Sequence, residues 1–148
     1  MNENMDTQKA NTPIWFWVAG VIALLWNLIG LMAFVVQMTM TEETMAALSV
    51  AEQEIYKNMP AWVWVFFAVA VVCGVVGSAL LLMRKKLAVP VLILSLIGVI
   101  GHHGYMFFLS NSVEVMGTAA IVMPALVVLI SIALVPFAIS FKNKTILR

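Results

Sequence analysis

The sequence has a single cysteine and is nearly empty of charge: only 10% of its 148 residues are Asp, Glu, Lys or Arg. One thiol, Cys73, excludes an internal disulfide and leaves the redox compartment unread, so the residue is taken as a small packing side chain. Four long stretches, 14–40, 61–83, 87–110 and 119–141, contain no ionisable acid or base other than histidine, tyrosine and Cys73. The absence of an acid within them excludes a carboxylate proton relay, and it excludes Ser-His-acid or Cys-His-acid hydrolase chemistry inside the membrane. No small-x-small cleavage signature follows the first stretch at Gln37-Met38-Thr39-Met40, so it reads as a retained span. No repeat relates the first half of the chain to the second, and an inverted-repeat transporter within one chain is not indicated.

What is present is apolar. Hydrophobic residues make up 64% of the chain and mean hydropathy is +1.05. Each of the four stretches is long enough to cross ~30 Å of hydrocarbon at ~1.5 Å per residue. The expected fold is therefore an all-α membrane protein, a four-helix up-down-up-down transmembrane bundle forming one domain over residues 1–148 in contact with the lipid bilayer. Between the second and third spans stands only Arg84-Lys85-Lys86, which makes those two an antiparallel hairpin of neighbours.

The few charges are sorted by side. Lys9, Arg84, Lys85, Lys86, Lys142, Lys144 and Arg148 fall on the side of the N-terminus, and Lys57 alone on the other. By the positive-inside rule both termini are expected in the cytoplasm. Glu42, Glu43, Glu52, Glu54 and Glu114 fall on the outer side. Trp15 and Trp17 suit one headgroup region, Trp62 and Trp64 the opposite one, while Trp26 falls near the middle of the first span and needs a partner for its ring N–H.

The connector 41–60 carries its own signals. Ser49 followed by Glu52 fits a capping box, Thr41 with Glu42 and Glu43 fits a helix start, and Pro60 marks a stop. Met45, Leu48, Ile55, Tyr56 and Met59 can form one apolar stripe. A short amphipathic helical segment lying over the outer mouth is expected. Pro90 falls in a first turn, where it is harmless, whereas Pro136 should kink the fourth span or end its regular part early.

Polar residues inside the spans are the candidate functional positions, because each costs free energy unless it finds a partner. Gly20, Ala23, Asn27, Gly30, Phe34 and Gln37 recur at helical spacing on the first span, and Ser95, Gly98, His102 and Tyr105 on the third. Asn27 and His102 fall at similar depth and can meet, with Gln37 and Tyr105 farther out. Asn27, Gln37, His102, Tyr105 and Trp26 are therefore the candidate ligand-binding set. Two readings compete: interhelical hydrogen-bond glue, or a small outward-facing polar pocket for a small polar solute. His102 and His103 lie about 100° apart around a helix, so both cannot aim at one site, and no Cys pair completes one. No metal, cofactor, catalytic residue or nucleic-acid partner is expected. Gly74 with Ser78, Gly77, and the series Gly98, Gly101 and Gly104 imply close packing of the second span on the third, and leave room for a homo-oligomer.

The segments Trp26-Asn27-Leu28-Ile29-Gly30, Met40-Thr41-Glu42-Glu43, Ala51-Glu52-Gln53, Pro60-Ala61-Trp62-Val63 and Leu82-Met83-Arg84-Lys85-Lys86 resemble a family of small bacterial four-span membrane proteins. The likeness covers residues 14–141. It implies a bacterial cytoplasmic (inner) membrane and supplies no catalytic set, although some of those proteins carry the label of sugar transporter. His102-His103 stands where a Gln-Met pair is associated with that family. The expected function is a non-enzymatic bundle that packs, partners or binds a small ligand between its first and third spans. The alternative is an oligomeric small-solute transporter.

Overall fold

A computed structural model describes residues 11–148; Lys9 lies outside them. Among the described residues there are seven helices and no strands: α1 (Ile14–Met38), α2 (Glu42–Ala46), α3 (Val50–Lys57), α4 (Ala61–Leu82), α5 (Ala88–Phe108), α6 (Ser112–Met116) and α7 (Ala119–Asn143). The helices α1, α4, α5 and α7 are each long and apolar enough to cross a membrane, and the chain is a small multi-pass membrane protein. They stop one or two residues short of the limits expected from hydropathy at several ends, whereas α7 runs two residues longer. The outer connector holds two short helices, α2 and α3, starting where Thr41 and Ser49 signal, and α6 is an element that periodicity does not reveal.

α1 packs against α4, α4 against α5 and α5 against α7, and α7 meets α1 through Trp15, Phe16, Phe137 and Phe141, so the four close into a bundle. Glycine explains the tight contact of α4 with α5. A Cβ built on Gly98 would come within 2.5 Å of the Ala70 nitrogen and 2.8 Å of the Phe66 carbonyl oxygen, so the α4 and α5 backbones touch there. Gly101 likewise receives the Phe66 ring, and Gly77 receives Leu92. Gly104 faces open space instead, so the small-residue groove of α5 ends a turn before it. Ser95 Oγ donates to the Ala70 carbonyl at 2.6 Å and ties the same two helices.

One end of the bundle is basic and solid. There Phe16 packs on Phe141 with centroids 4.7 Å apart, and Trp15 packs on Phe137 and Phe141 at 5.5 and 4.8 Å. Beyond α7 the chain turns back and buries Ile146 and Leu147 to 3% and 1% exposure against Leu81, Ala88 and Val89. Its backbone then pairs with the α4–α5 turn: Lys86 N–H donates to the Arg148 carbonyl at 2.9 Å, and Arg148 N–H to the Arg84 carbonyl at 2.6 Å. Arg84 Nε adds a bond to the Ile146 carbonyl at 3.0 Å. Both helices feeding this clasp end in the same way. After α4, Arg84 (φ 59°) and Lys85 donate to Leu81 and Leu80; after α7, Thr145 (φ 58°) and Ile146 donate to Lys142 and Phe141. These are Schellman endings with non-glycine residues in the left-handed position.

Pro136 does not end the regular part of α7. The helix continues seven residues past it to Asn143, and Pro124 is also accommodated within it.

The opposite end is acidic and carries α2, α3 and α6. Thr41 caps α2 by accepting from Thr44 N–H at 3.2 Å. Ser49 and Glu52 form the expected capping box: Glu52 N–H donates to Ser49 Oγ at 3.3 Å and Ser49 N–H donates back to Glu52 Oε2 at 2.9 Å. The inner side of α3 turns Ile55 and Tyr56 toward the bundle, and the buried Met59 follows in the α3–α4 junction.

Candidate functional site

At the acidic end α3 roofs a chamber of about 220 Å³ walled by α1, α5, α6 and α7. Gln37 enters from the last turn of α1, His102 from α5, and Glu52 and Tyr56 from α3. The rest of the lining is thioether and small apolar: Met59, Met106, Met116 and Met123, with Ile55, Ala119, Ala120 and Pro124. The sequence places Gln37 and His102 on separate stripes of α1 and α5. The fold brings them to the same chamber.

His102 is 8% exposed, and its Nδ1 is a buried polar atom with no hydrogen-bond partner. Its ring is stacked on Phe67 with centroids 4.4 Å apart, and Phe67 is in turn met edge-on by Phe34 of α1 at 5.1 Å. His103 is satisfied differently, donating from Nδ1 to the Val99 carbonyl at 3.0 Å. The two rings meet edge-on, with centroids 5.0 Å apart and planes at 80°.

The roof is charged on one side. Hydrogen bonds from the Ser49 hydroxyl and then the Ser49 N–H hold the Glu52 carboxyl below the usual carboxylate range. Burial, assisted by the Glu52 charge, pushes the Tyr56 phenol upward, so Tyr56 is a neutral donor at the chamber wall.

Asn27 does not join His102. Its Nδ2 donates to Ala23 O at 2.9 Å and to Ser78 Oγ at 3.2 Å, so the amide is spent between α1 and α4. Gly74 makes the room: a Cβ there would lie 2.0 Å from Asn27 Oδ1 and 3.2 Å from Ser95 Oγ. Beside this layer is a void of about 10 Å³ lined by Trp26, Asn27, Leu92, Ser95, Ile130, Ser131 and Leu134. Trp26 also lines an open apolar groove of about 320 Å³ between α1 and α7. The α1 stripe thus faces α4 over its middle and the chamber only at Gln37.

Tyr105 points elsewhere as well. It packs edge-on against Trp62 at 5.5 Å and lines a separate cavity of about 350 Å³ between α3 and α6, which also carries Glu54, Asn58, Ser110, Asn111 and Glu114. One turn after His102 along α5, Met106 accepts a long hydrogen bond from Ser112 Oγ at 3.7 Å. The contributions of Tyr56, Glu52, Met116 and Met123 to one wall have no periodic signal, because they come from three elements that only the fold assembles. Comparison with protein-family models, curated proteins and solved structures finds no match.

Proposed function

We propose that this chain is a non-catalytic four-span protein of a bacterial cytoplasmic membrane that holds a small ligand in the chamber under α3. The basic end, with its Arg84-Lys85-Lys86 turn, then faces the cytoplasm and the acidic end faces outward. The observation that carries the reading is that Gln37 of α1 and His102 of α5 line one chamber of about 220 Å³. A cavity of ~150 Å³ already accommodates a benzene-sized molecule, so a single small ring or smaller species fits.

Accessibility tests it. In a Cys73→Ala background, Gln37→Cys in liposomes should react with a small membrane-impermeant methanethiosulfonate applied at the acidic end, and remain unreactive from the basic end. If Gln37→Cys stays unlabelled from both sides, the chamber is closed and the protein is a packing scaffold.

The second reading, an oligomeric small-solute transporter, is favoured by Asn27, Ser95 and Ser131 lining a void of about 10 Å³ within the bundle. Uptake into proteoliposomes by the parent chain, falling with Asn27→Ala and His102→Ala, would support it. Equal uptake in all three removes these residues from any path.

A further inference from the structure

Four methionine side chains surround the chamber without filling it. Methionine in a core is ordinarily a flexible gap-filler, and a gap-filler leaves no gap. Here Met59 from the α3–α4 junction, Met106 from α5, Met116 from α6 and Met123 from α7 border about 220 Å³ of unfilled space. His102 stands one turn from Met106 on α5 and lines the same wall.

The donor set selects a cation class. Thioethers and one imidazole are soft or borderline ligands, suited to Cu(I) and its congener Ag(I). Calcium and magnesium need several oxygen donors, whereas Glu52 is the single carboxylate on the wall and already accepts from Ser49. Structural zinc sites draw on cysteine and several histidines, and the wall has one histidine and no thiol. Charge agrees: among the described residues, Glu52 is the one ionic side chain lining the chamber, and no Lys or Arg does so. Two further observations prepare the ligands. The stack on Phe67 at 4.4 Å fixes the His102 ring plane, and the Ser112 hydroxyl holds the Met106 sulfur.

We propose that the chamber binds a monovalent thiophilic cation, Cu(I) or Ag(I), through the His102 imidazole and the thioethers of Met106, Met116 and Met123. The proposal rests on the reading of this chamber as a ligand site and names the ligand class. The cation enters from the acidic end, past Glu52. Binding involves no change of oxidation state.

The test uses the full chain in detergent on a Cys73→Ala background, which removes the competing thiol. Silver nitrate is titrated calorimetrically in chloride-free buffer, and Cu(I) is supplied by competition with bicinchoninate. One ion per chain is expected, with an X-ray absorption spectrum of mixed sulfur and nitrogen scatterers. His102→Gln should remove the nitrogen contribution. Met116→Leu with Met123→Leu keeps volume and fold while removing two sulfurs, and should weaken binding by at least the roughly 10–100-fold that disturbing even an outer partner costs at a metal site.

No saturable Ag(I) binding, or binding that is unchanged in both variants, overturns the proposal. If Gln37→Cys is labelled yet no ion binds, the metal assignment fails and the small-ligand reading stands. If Gln37→Cys is unreactive and no ion binds, both fail.

Discussion

The Asn27 side chain crosses from α1 to α4 and donates to Ser78 Oγ at 3.2 Å, in space that exists because residue 74 is glycine. This contact fixes where α1 sits, and it is specific to an asparagine opposite a glycine.

It follows that Asn27 and Gly74 are energetically coupled. Gly74→Ala drives a methyl group into the Asn27 amide and should cost about 1–3 kcal/mol, the usual range for overpacking. Asn27→Ala should cost only about 0.6 kcal/mol per lost contact. The double variant should recover most of the Gly74→Ala loss, giving a coupling of roughly 0.5–3 kcal/mol in a double-mutant cycle. Thermal unfolding in detergent measures it, and strict additivity contradicts the geometry.

Two glycines of α5 should respond in opposite directions. Gly98→Ala meets the α4 backbone at 2.5 Å, which cannot rotate away, and should cost about 1–3 kcal/mol or more. Gly104→Ala meets nothing within 4 Å and should be neutral or stabilising by up to about 1 kcal/mol through helix propensity. Equal effects in paired denaturation curves would show that α4 and α5 are not in backbone contact.

Thr145 holds a left-handed backbone (φ 58°) with a β-branched side chain, at the start of the clasp that returns to the α4–α5 turn. A non-glycine residue there costs about 1–2 kcal/mol, and glycine costs more to order from the unfolded chain. Thr145→Gly should therefore stabilise by roughly 0.5–1 kcal/mol net. A lower melting temperature would place the strain elsewhere.

The chamber roof should loosen in acid. The Glu52 carboxyl is held below its ordinary pKa by Ser49, so its contribution is complete above the unfolded carboxylate pKa and is lost as pH falls through the lower folded value. Amide protection factors for Val50–Lys57, corrected for intrinsic exchange, should be steady near neutrality and drop at the acid end. Glu52→Gln should show a reduced, pH-independent protection. A pH-dependent loss that persists in Glu52→Gln assigns it to another group.

Much of this architecture was legible in residue order. The charge-free stretches located the four long helices to within a few residues, and Ser49 with Glu52 announced the cap of α3 because that motif is built from neighbours in sequence. Gly98 and Gly101 foretold the tight α4–α5 seam. The candidate site was less legible. Spacing places Asn27 and Gln37 on one stripe and His102 on another, but it does not say which helix a stripe meets. The order of the helices around the bundle turns Asn27 onto α4, leaves Gln37 to reach the chamber, and sends Tyr105 to Trp62. Pro136 does not end the helix for a related reason: inside a long apolar span the alternative to a continued helix is backbone exposed to lipid, which costs more than one missing bond. The clasp of residues 144–148 on residues 84–86 joins segments about sixty positions apart and leaves no periodic trace.

The α4–α5 seam also bears on the order of assembly. Two helices joined by a turn of a few residues, and touching backbone to backbone at Gly98, can close before either outer helix arrives, since their contacts are local in the chain. The outer pair then dock on a finished hairpin, α1 through its amide and α7 through its tail. Because Phe16 also meets Phe141, whichever of the two arrives first completes part of the surface on which the other settles.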